Sequence, residues 1–517
     1  MTNKPLILVS LLLATFLVNV DTTIVNVALP TLVRELHASN TQLQWIVDAF
    51  NLFFAATVLA AGSLSDRFGR KGMLLAGLAV FGLASLFGGL LNSPDQLIAA
   101  RAVMGIGAAM IFPSTLSLLT NVFTERRERA LAIGMWGAVT GVAIALGPIV
   151  GGALLETFEW RSIFFALTPV AALAAGLVGA SVPASRDPSA PTLDGVGFVL
   201  STATVASLVY TIIEAPDRGW ANTWTLAGFA LAAVLAAAFV ASERRVAQPM
   251  LDISLFRNPR FAAASGSVAI SFFALSGFIF LVTQYFQFIK GYGPLSTGVR
   301  LLPVATCVAA ASILGARLAV RIGTKLVVAA GLLAMAGFYL WVTSTSASTG
   351  YGTIAAQMVV LGTGMGLTSA PATEAIMGVV PRAKAGVGSA VNDATRLLGG
   401  TLGVAVIGSV YASLYANRLA ADLPAAAIRR TGSSVGAALG AADRLALTGH
   451  PRLAAEIHDT ASAAFFHGFH AGNFVSAGVA AAGALVALAL LPAHPAAVDD
   501  TPETLAAAPP VVVPADN

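Results

Sequence analysis

Apolar residues run along this chain in blocks of about twenty, and short polar segments between the blocks carry most of the charge. A helical block of that length matches the roughly 30 Å hydrocarbon core of a bilayer. Such blocks fall at 6–28, 42–63, 73–92, 97–121, 130–153, 162–182, 195–214, 224–241, 262–289, 297–318, 325–344, 352–377, 386–413 and 470–492. The pattern predicts about fourteen membrane-spanning helices and an all-α polytopic protein. A membrane barrel would show shorter segments of alternating polarity instead.

The blocks repeat at half length. RFGRK at 67–71 is echoed by RIGTK at 321–325, and MGIGAAMIFP at 104–113 by LGTGMGLTSAP at 361–371. Eight spans separate the copies, so both point the same way through the membrane, as in transporters built from parallel repeats. The expected division is a six-helix bundle over 1–182 and two extra helices with linkers over 183–260. A second six-helix bundle follows over 261–495, with a long periplasmic connection at 414–469 that has room for short interfacial helices. Residues 496–517, rich in Ala, Pro, Asp and Val, are expected to form a disordered cytoplasmic tail.

The polar segments orient the spans. Alternate loops hold Arg67, Arg70 and Lys71; Arg126, Arg127 and Arg129; Arg186; Arg244, Arg245, Arg257 and Arg260; Arg317, Arg321 and Lys325; and Arg382 with Lys384. The opposite loops hold only Arg34, Arg161, Arg218, Lys290 and Arg300. Basic excess marks the cytoplasmic side, which places both termini inside.

Composition agrees. Of 517 residues, 57% are hydrophobic and 10% charged, against about 25% charged in soluble domains. The net charge of +4 is spread singly between apolar runs and leaves no nucleic-acid footprint. The one cysteine, Cys307, excludes an internal disulfide and a cysteine-rich metal site. No HExxH, complete GxGxxG or P-loop is present, which argues against a membrane enzyme and against ATP-driven transport. GSSVG at 432–436 matches GxSxG only formally, because the strand–turn–helix context of a nucleophile elbow is absent. No cofactor and no metal site are expected.

Against this background the charges inside the blocks become candidates. Asp21 sits in LVNVDTTIVNVALP, the sole carboxylate of the first span. An anion in hydrocarbon must be paired, neutralised or used. Arg101 lies in the fourth span, either snorkelling outward or facing the interior beside an acid. Asp48 in WIVDAFNL stands beside Gln44 and Asn51; it is placed to meet a cation or a proton, or to be hydrated near the outer mouth. Asp393 and Arg396 are spaced i,i+3, which suits a self-satisfied ion pair as well as a coupling role. Asn26, Gln44, Asp48, Asn51, Gln284, Gln287, Asn392 and Arg396 give the expected lining of a substrate cavity. The aromatic setting of Gln284 and Gln287 suits an amphipathic ligand.

Two further stretches read as mechanical parts. In GSLSDRFGRKGMLL, Gly62 and Gly69 permit close backbone approach. Asp66 is placed to cap a neighbouring helix while Arg67, Arg70 and Lys71 pair with acids or backbone, a latch that one conformation makes and another breaks. In GVAIALGPIVGG, Gly141, Gly147, Gly151 and Gly152 allow tight helix contact, and Pro148 bends the helix.

These stretches resemble the signatures of the major facilitator superfamily. GSLSDRFGRK resembles its motif between helices two and three, LIAARAVMGIGAA (97–109) its fourth-helix motif with Arg101 as the arginine, and GVAIALGPIVGG (141–152) its antiporter motif. LVNVDTTIVNVALP resembles the first helix of the fourteen-helix drug:proton antiporter family. So do WIVDAFNL, TLDGVGFVL (192–200), QYFQFIKGYGPLSTGVRLLP (284–303) and GVGSAVNDATRLLGGTLGVAVIGSV (386–410) in their own places. One departure is that Val320 stands where the first copy of the loop motif has Asp66, which confines any acid-dependent latch to the first half.

The resemblance implies a proton-coupled antiporter in the bacterial inner membrane, exporting lipophilic, often cationic compounds and driven by the proton gradient. Asp21, Arg101 and Asp393 are then the proton-coupling candidates. The implied partners are a small molecule, protons and lipid, with no nucleic acid and a monomer as the expected state. The alternatives are an exporter dedicated to one metabolite, antibiotic or lipid, a proton symporter, and a membrane ligand sensor.

Overall fold

A computed structural model describes residues 3–186, 194–246, 249, 251, 253–379, 385–422 and 434–492. The side chains of 59, 126, 127, 130 and 385–390 lie outside that description. Arg382, Lys384, Gly432, Ser433 and the tail from Ala496 also lie outside the described residues.

Helices account for the spans, and among the described residues no strand forms. The first half comprises α1 (Lys4–Leu36), α2 (Asn40–Phe68), α3 (Arg70–Leu90), α4 (Pro94–Val122), α5 (Arg126–Thr157) and α6 (Ser162–Ser181). Next come α7 (Gly195–Arg218) and α8 (Thr223–Glu243). The second half has α9 (Pro259–Gln284), α10 (Pro294–Arg300), α11 (Leu302–Ile322), α12 (Thr324–Val342), α13 (Tyr351–Met377), α14 (Ala385–Asp422), α15 (Val435–Leu447) and α16 (Pro451–Leu490). Among the described residues thirteen helices are long and apolar enough to cross a membrane, and fourteen if α2, bent by 51° between Val58 and Ala60, is one span.

Local chemistry sets the ends. Asn3 caps α1, and Ser39 with Gln42 forms a capping box on α2. The tight turns after α2 and α11 need a positive φ, supplied by Gly69 (118°) and Gly323 (93°) in the two copies of the loop motif. Span nine ends in a π-helical turn, Tyr285–Ile289. Span ten is divided at Leu301, ahead of Pro303, which has no N–H to continue the helix.

The stretch 414–469 differs from its expected form as a connection. The end of α14, all of α15 and the first half of α16 occupy most of it. Alanine is a strong helix former but only weakly apolar, so an Ala-rich stretch with dispersed charges lacks a span signal while still favouring helix. At 40 residues α16 is about 60 Å long, twice the hydrocarbon thickness.

Each half packs mainly on itself, α1 against α4, α5 and α6, and α9 against α13, α14 and α16. The halves meet where α2 lies on α14 and where α5 lies on α10. Helix α7 touches both α2 and α14, and α8 packs on α7. Their polar ties are specific. Trp45 Nε1 donates to Glu214 Oε1 (3.2 Å), Thr41 Oγ1 to Asp217 Oδ2 (2.8 Å), and Trp220 Nε1 to Ser413 Oγ (2.9 Å).

Candidate functional site: a buried ion pair and a seam of glycines

Asp21 lies midway along α1 with 0% of its side chain exposed, and Arg101 on α4 has 1%. One guanidinium nitrogen, Nη1, donates to both carboxylate oxygens, at 2.8 and 2.6 Å. Nε donates to the Ile46 carbonyl on α2 at 3.1 Å, and the guanidinium sits 4.4 Å from the centroid of the Phe50 ring. Arg101 therefore faces the interior; the outward-snorkelling alternative does not occur. Gly105, one turn beyond Arg101, makes this reach possible, since a Cβ there would run into the Phe50 carbonyl oxygen and hold α2 away.

Three elements thus converge on one cation. Charge-assisted hydrogen bonds and an aromatic face offset much of the cost of burying it. Ile46 and Phe50 were not distinguished in the sequence, and a backbone carbonyl leaves no sequence signal. The glycine one turn past Arg101 was the available hint. Farther along the same helices, Thr15 Oγ1 donates to Thr115 Oγ1 (3.3 Å), which also accepts from Trp136 Nε1 (3.2 Å), linking α1, α4 and α5.

Asp48 has a different environment. Its side chain is fully buried, so it is not hydrated near a mouth, and neither oxygen has a hydrogen-bond partner among the described residues. Gln44, Asp48 and Asn51 share one face of α2, opposite Ile46 and Phe50. Gln44 on that face lies against Gly408 of α14 and accepts from Ser409 Oγ at 3.4 Å, so the face points at the second half.

The other expected cavity residues divide between two levels. Gln287 in the π turn crosses to the first half, where its Nε2 donates to the Val27 carbonyl (2.8 Å) beside Asn26. Asn26 itself donates to Thr22 O, and Gln284 to Phe280 O, both within their own helices. Asn392 accepts from Thr373 Oγ1 (3.2 Å). Asp393 and Arg396 form the i,i+3 pair at 3.8 Å, with Arg396 over the Phe272 ring. That group lies about 20 Å along α14 from Ser409, so the polar residues do not form one cluster.

The loop motif forms a contact within the first half. Arg70 Nε donates to Asp66 Oδ1 at 2.7 Å, its backbone N to Ser185 O at 2.9 Å, and Lys71 Nζ to Gly179 O at 2.9 Å. Asp66 does not cap a helix here: no side chain caps α3, which begins at Arg70 behind Gly69. Arg67 lies over Phe68, and a Cβ added at Gly62 would meet Pro113 at ordinary van der Waals distance, so no close backbone approach depends on this glycine.

The fifth-helix glycines divide by position. A Cβ at Gly147 would collide with Thr23, and one at Gly151 would lie 2.6 Å from Ile24 Cγ1, both on α1. A Cβ at Gly152 would lie 2.5 Å from Leu295 Cα, in the second half, while one at Gly298 would collide with the Pro148 carbonyl. Gly134, Gly137 and Gly141 have nothing within 4 Å of such a Cβ. The halves are therefore in contact at the Gly147–Gly152 end of α5 and not at its Gly134–Gly141 end. Alanine at Gly137 or Gly141 is expected to cost no thermal stability and to add up to about 1 kcal/mol, because no contact opposes the methyl and alanine is the better helix former. A loss in a detergent unfolding assay would place those glycines in an interface.

The comparisons with known proteins agree with this architecture. The chain is 35% identical over 481 residues to the multidrug efflux pump LfrA of Mycolicibacterium smegmatis, covering 92% of this chain and 94% of that protein. It is 37% identical over 402 residues to the multidrug resistance protein Stp of Mycobacterium tuberculosis, covering 78% and 74%. In fold it superposes on a bacterial homolog of the human lysosomal transporter Spinster, in an inward-facing and occupied conformation. The TM-score is 0.69, at 18% identity, over 94% of this chain and 96% of that one. Residues 11–404 match the family described as Major Facilitator Superfamily. With its helical repeat, its loop motif and its glycine-lined seam, this multi-pass membrane protein belongs to the major facilitator superfamily.

Proposed function

We propose that the protein is a proton-coupled antiporter that exports lipophilic cationic compounds across the bacterial inner membrane. The observation that carries this reading is the Asp21–Arg101 pair, an ion pair sealed inside the first half with a second set of partners ready for the arginine. When Asp21 takes up a proton, Arg101 keeps the Ile46 carbonyl and the Phe50 ring, so neutralising the acid does not leave a bare buried cation. The relatives named for multidrug efflux and resistance align with most of this chain and support a drug as the exported molecule.

We divide the chain into 1–182, 183–260 and 261–495, a reading supported by α7 touching both α2 and α14 with α8 packed on α7. Both termini lie in the cytoplasm on the basic side. The seam at Gly152 and Gly298 then closes the periplasmic end, and this conformation faces inward. Substrate enters from the cytoplasm while Asp21 is ionised. Rocking of the halves exposes the acid to the periplasm, where a proton replaces the cation.

A toxicity panel in an efflux-deficient bacterium tests the reading, comparing the wild type with Asp21→Asn at equal membrane abundance. Resistance to several lipophilic cations should depend on Asp21; equal resistance from the variant would overturn the assignment.

Asp48 is assigned to cation recognition, since an orphaned buried carboxylate facing the second half has no structural use in this conformation. Asp48→Leu should raise stability by roughly 1–3 kcal/mol, the cost of an unsatisfied buried polar group. It should also weaken export of cations more than that of neutral compounds. A Leu variant that is less stable, or equally impaired for both substrate types, would remove Asp48 from recognition.

A further inference from the structure

The two extra helices carry a second pair of acids, far from Asp21. Asp194 precedes α7, and Glu243 is the last residue of α8, only 4% exposed. Each carboxyl group commits one oxygen to a backbone donor. Asp194 Oδ1 accepts from Gly197 N at 2.8 Å, and Glu243 Oε2 from Leu251 N at 2.9 Å, in the segment that leads into α9. The remaining oxygens, Asp194 Oδ2 and Glu243 Oε1, are buried and meet no N–H or hydroxyl donor among the described residues.

Those two leftover oxygens face each other. A Cβ on Gly197 would collide with both, so the two carboxyl groups crowd the same point beside that glycine. Two facing acceptors cannot bond unless one carries a proton, and two ionised carboxylates at contact repel strongly. The neighbouring charges do not resolve this. Arg244 and Arg245 come directly after α8, but both are exposed, and among the described residues neither pairs with an acid. The first turn of α7 has no charge, and Leu251 offers only its N–H.

We propose that Asp194 and Glu243 form a proton-binding site, one proton shared between two carboxyl groups, that fastens the ends of α7 and α8 to the segment entering the second half. Gly197 is the residue that lets the carboxyls meet. The site lies on the basic side of the membrane, so under the orientation given above it reads cytoplasmic pH, separately from the transported proton. The inference itself does not depend on what is exported. Its sign follows from linkage. The fastened state holds a proton that the parted state releases, so the tie is strongest at low pH and weakens as pH rises through the titration of the pair.

Hydrogen exchange at the Leu251 amide, in the purified full-length protein, tests this. After correction for intrinsic exchange, protection in the wild type should fall about tenfold per pH unit once the shared proton leaves. In Glu243→Gln the amide supplies its own hydrogen to Asp194, so protection should persist and become independent of pH. Asp194→Asn makes the same substitution from the other side, keeps Oδ1 for Gly197 N, and serves if the first variant does not fold. Protection that is flat with pH in the wild type, or that keeps its slope in the folded variant, would overturn the proposal. Restoration of protection at alkaline pH by magnesium alone would also overturn it, because the pair would then be a divalent-cation site.

Discussion

Asp21→Asn is expected to reduce gradient-driven accumulation of a fluorescent lipophilic cation in inside-out vesicles to background, with the protein still folded. The two parts of this expectation have separate physical causes. Asparagine keeps an oxygen for Arg101 Nη1, which donates to both carboxylate oxygens of Asp21 at 2.8 and 2.6 Å, so the polar contact survives in neutral form. Arg101 also keeps the Ile46 carbonyl and the Phe50 ring. What is lost is the ability to gain and release a proton. Arg101→Ala is the contrasting case. It leaves a buried carboxylate without its cation, which costs about 3–5 kcal/mol, a large share of ordinary protein stability. That variant should be poorly folded, and its inactivity alone says little about coupling.

Binding carries the same signature. If one proton competes with one cation, wild-type affinity for the cation should weaken up to tenfold per pH unit as pH falls through the titration of the site. In Asp21→Asn the affinity should be level across the same range. Accumulation by Asp21→Asn equal to that of the wild type would show that another group carries the proton.

Much of the fold was legible because the bilayer imposes one length on every span, and blocks of that length are easy to see. Legibility failed where composition ceased to separate helix from connection, as at 414–469, where alanine forms helix without a strong apolar signal. The site was legible in its residues but not in its pairing. Asp21 and Arg101 each stood out as charges inside apolar blocks, yet nothing local joins positions 80 apart. The Asp393–Arg396 pair was legible as a pair because i,i+3 spacing is a local relation. Asp66 was misplaced as a cap because its partner, Arg70, follows within the same turn and competes for the carboxylate. Asp48 was visible as an acid on a polar face. Its complete burial is a tertiary fact, on a helix that packs against α14 from the other half of the chain.

Gly152→Ala is expected to impair transport by opening the seam between the halves, although it adds one methyl group to a residue with no polar role. The new Cβ would lie 2.5 Å from Leu295 Cα, 2.7 Å from Leu295 N and 2.7 Å from the Pro294 carbonyl oxygen. All three are backbone atoms, so no side chain can rotate away, and α5 and α10 must separate. Overpacking of this kind costs about 1–3 kcal/mol. Applied to one conformation only, that changes the ratio of the two conformations by roughly 5- to 150-fold. Spin labels at Phe158 and Thr306, on a Cys307→Ser background, would report the change as a longer distance in the variant than in the parent. Gly141→Ala is the internal control: its methyl meets nothing within 4 Å, so it should leave this distance unaltered. If Gly152→Ala leaves both distance and transport unchanged, the seam is not the gate. If both variants lengthen the distance, the effect comes from α5 as a whole and not from its contact with Leu295. A change confined to Gly152→Ala would tie closure of this end to the α5–α10 seam, where backbone meets backbone without room for a side chain.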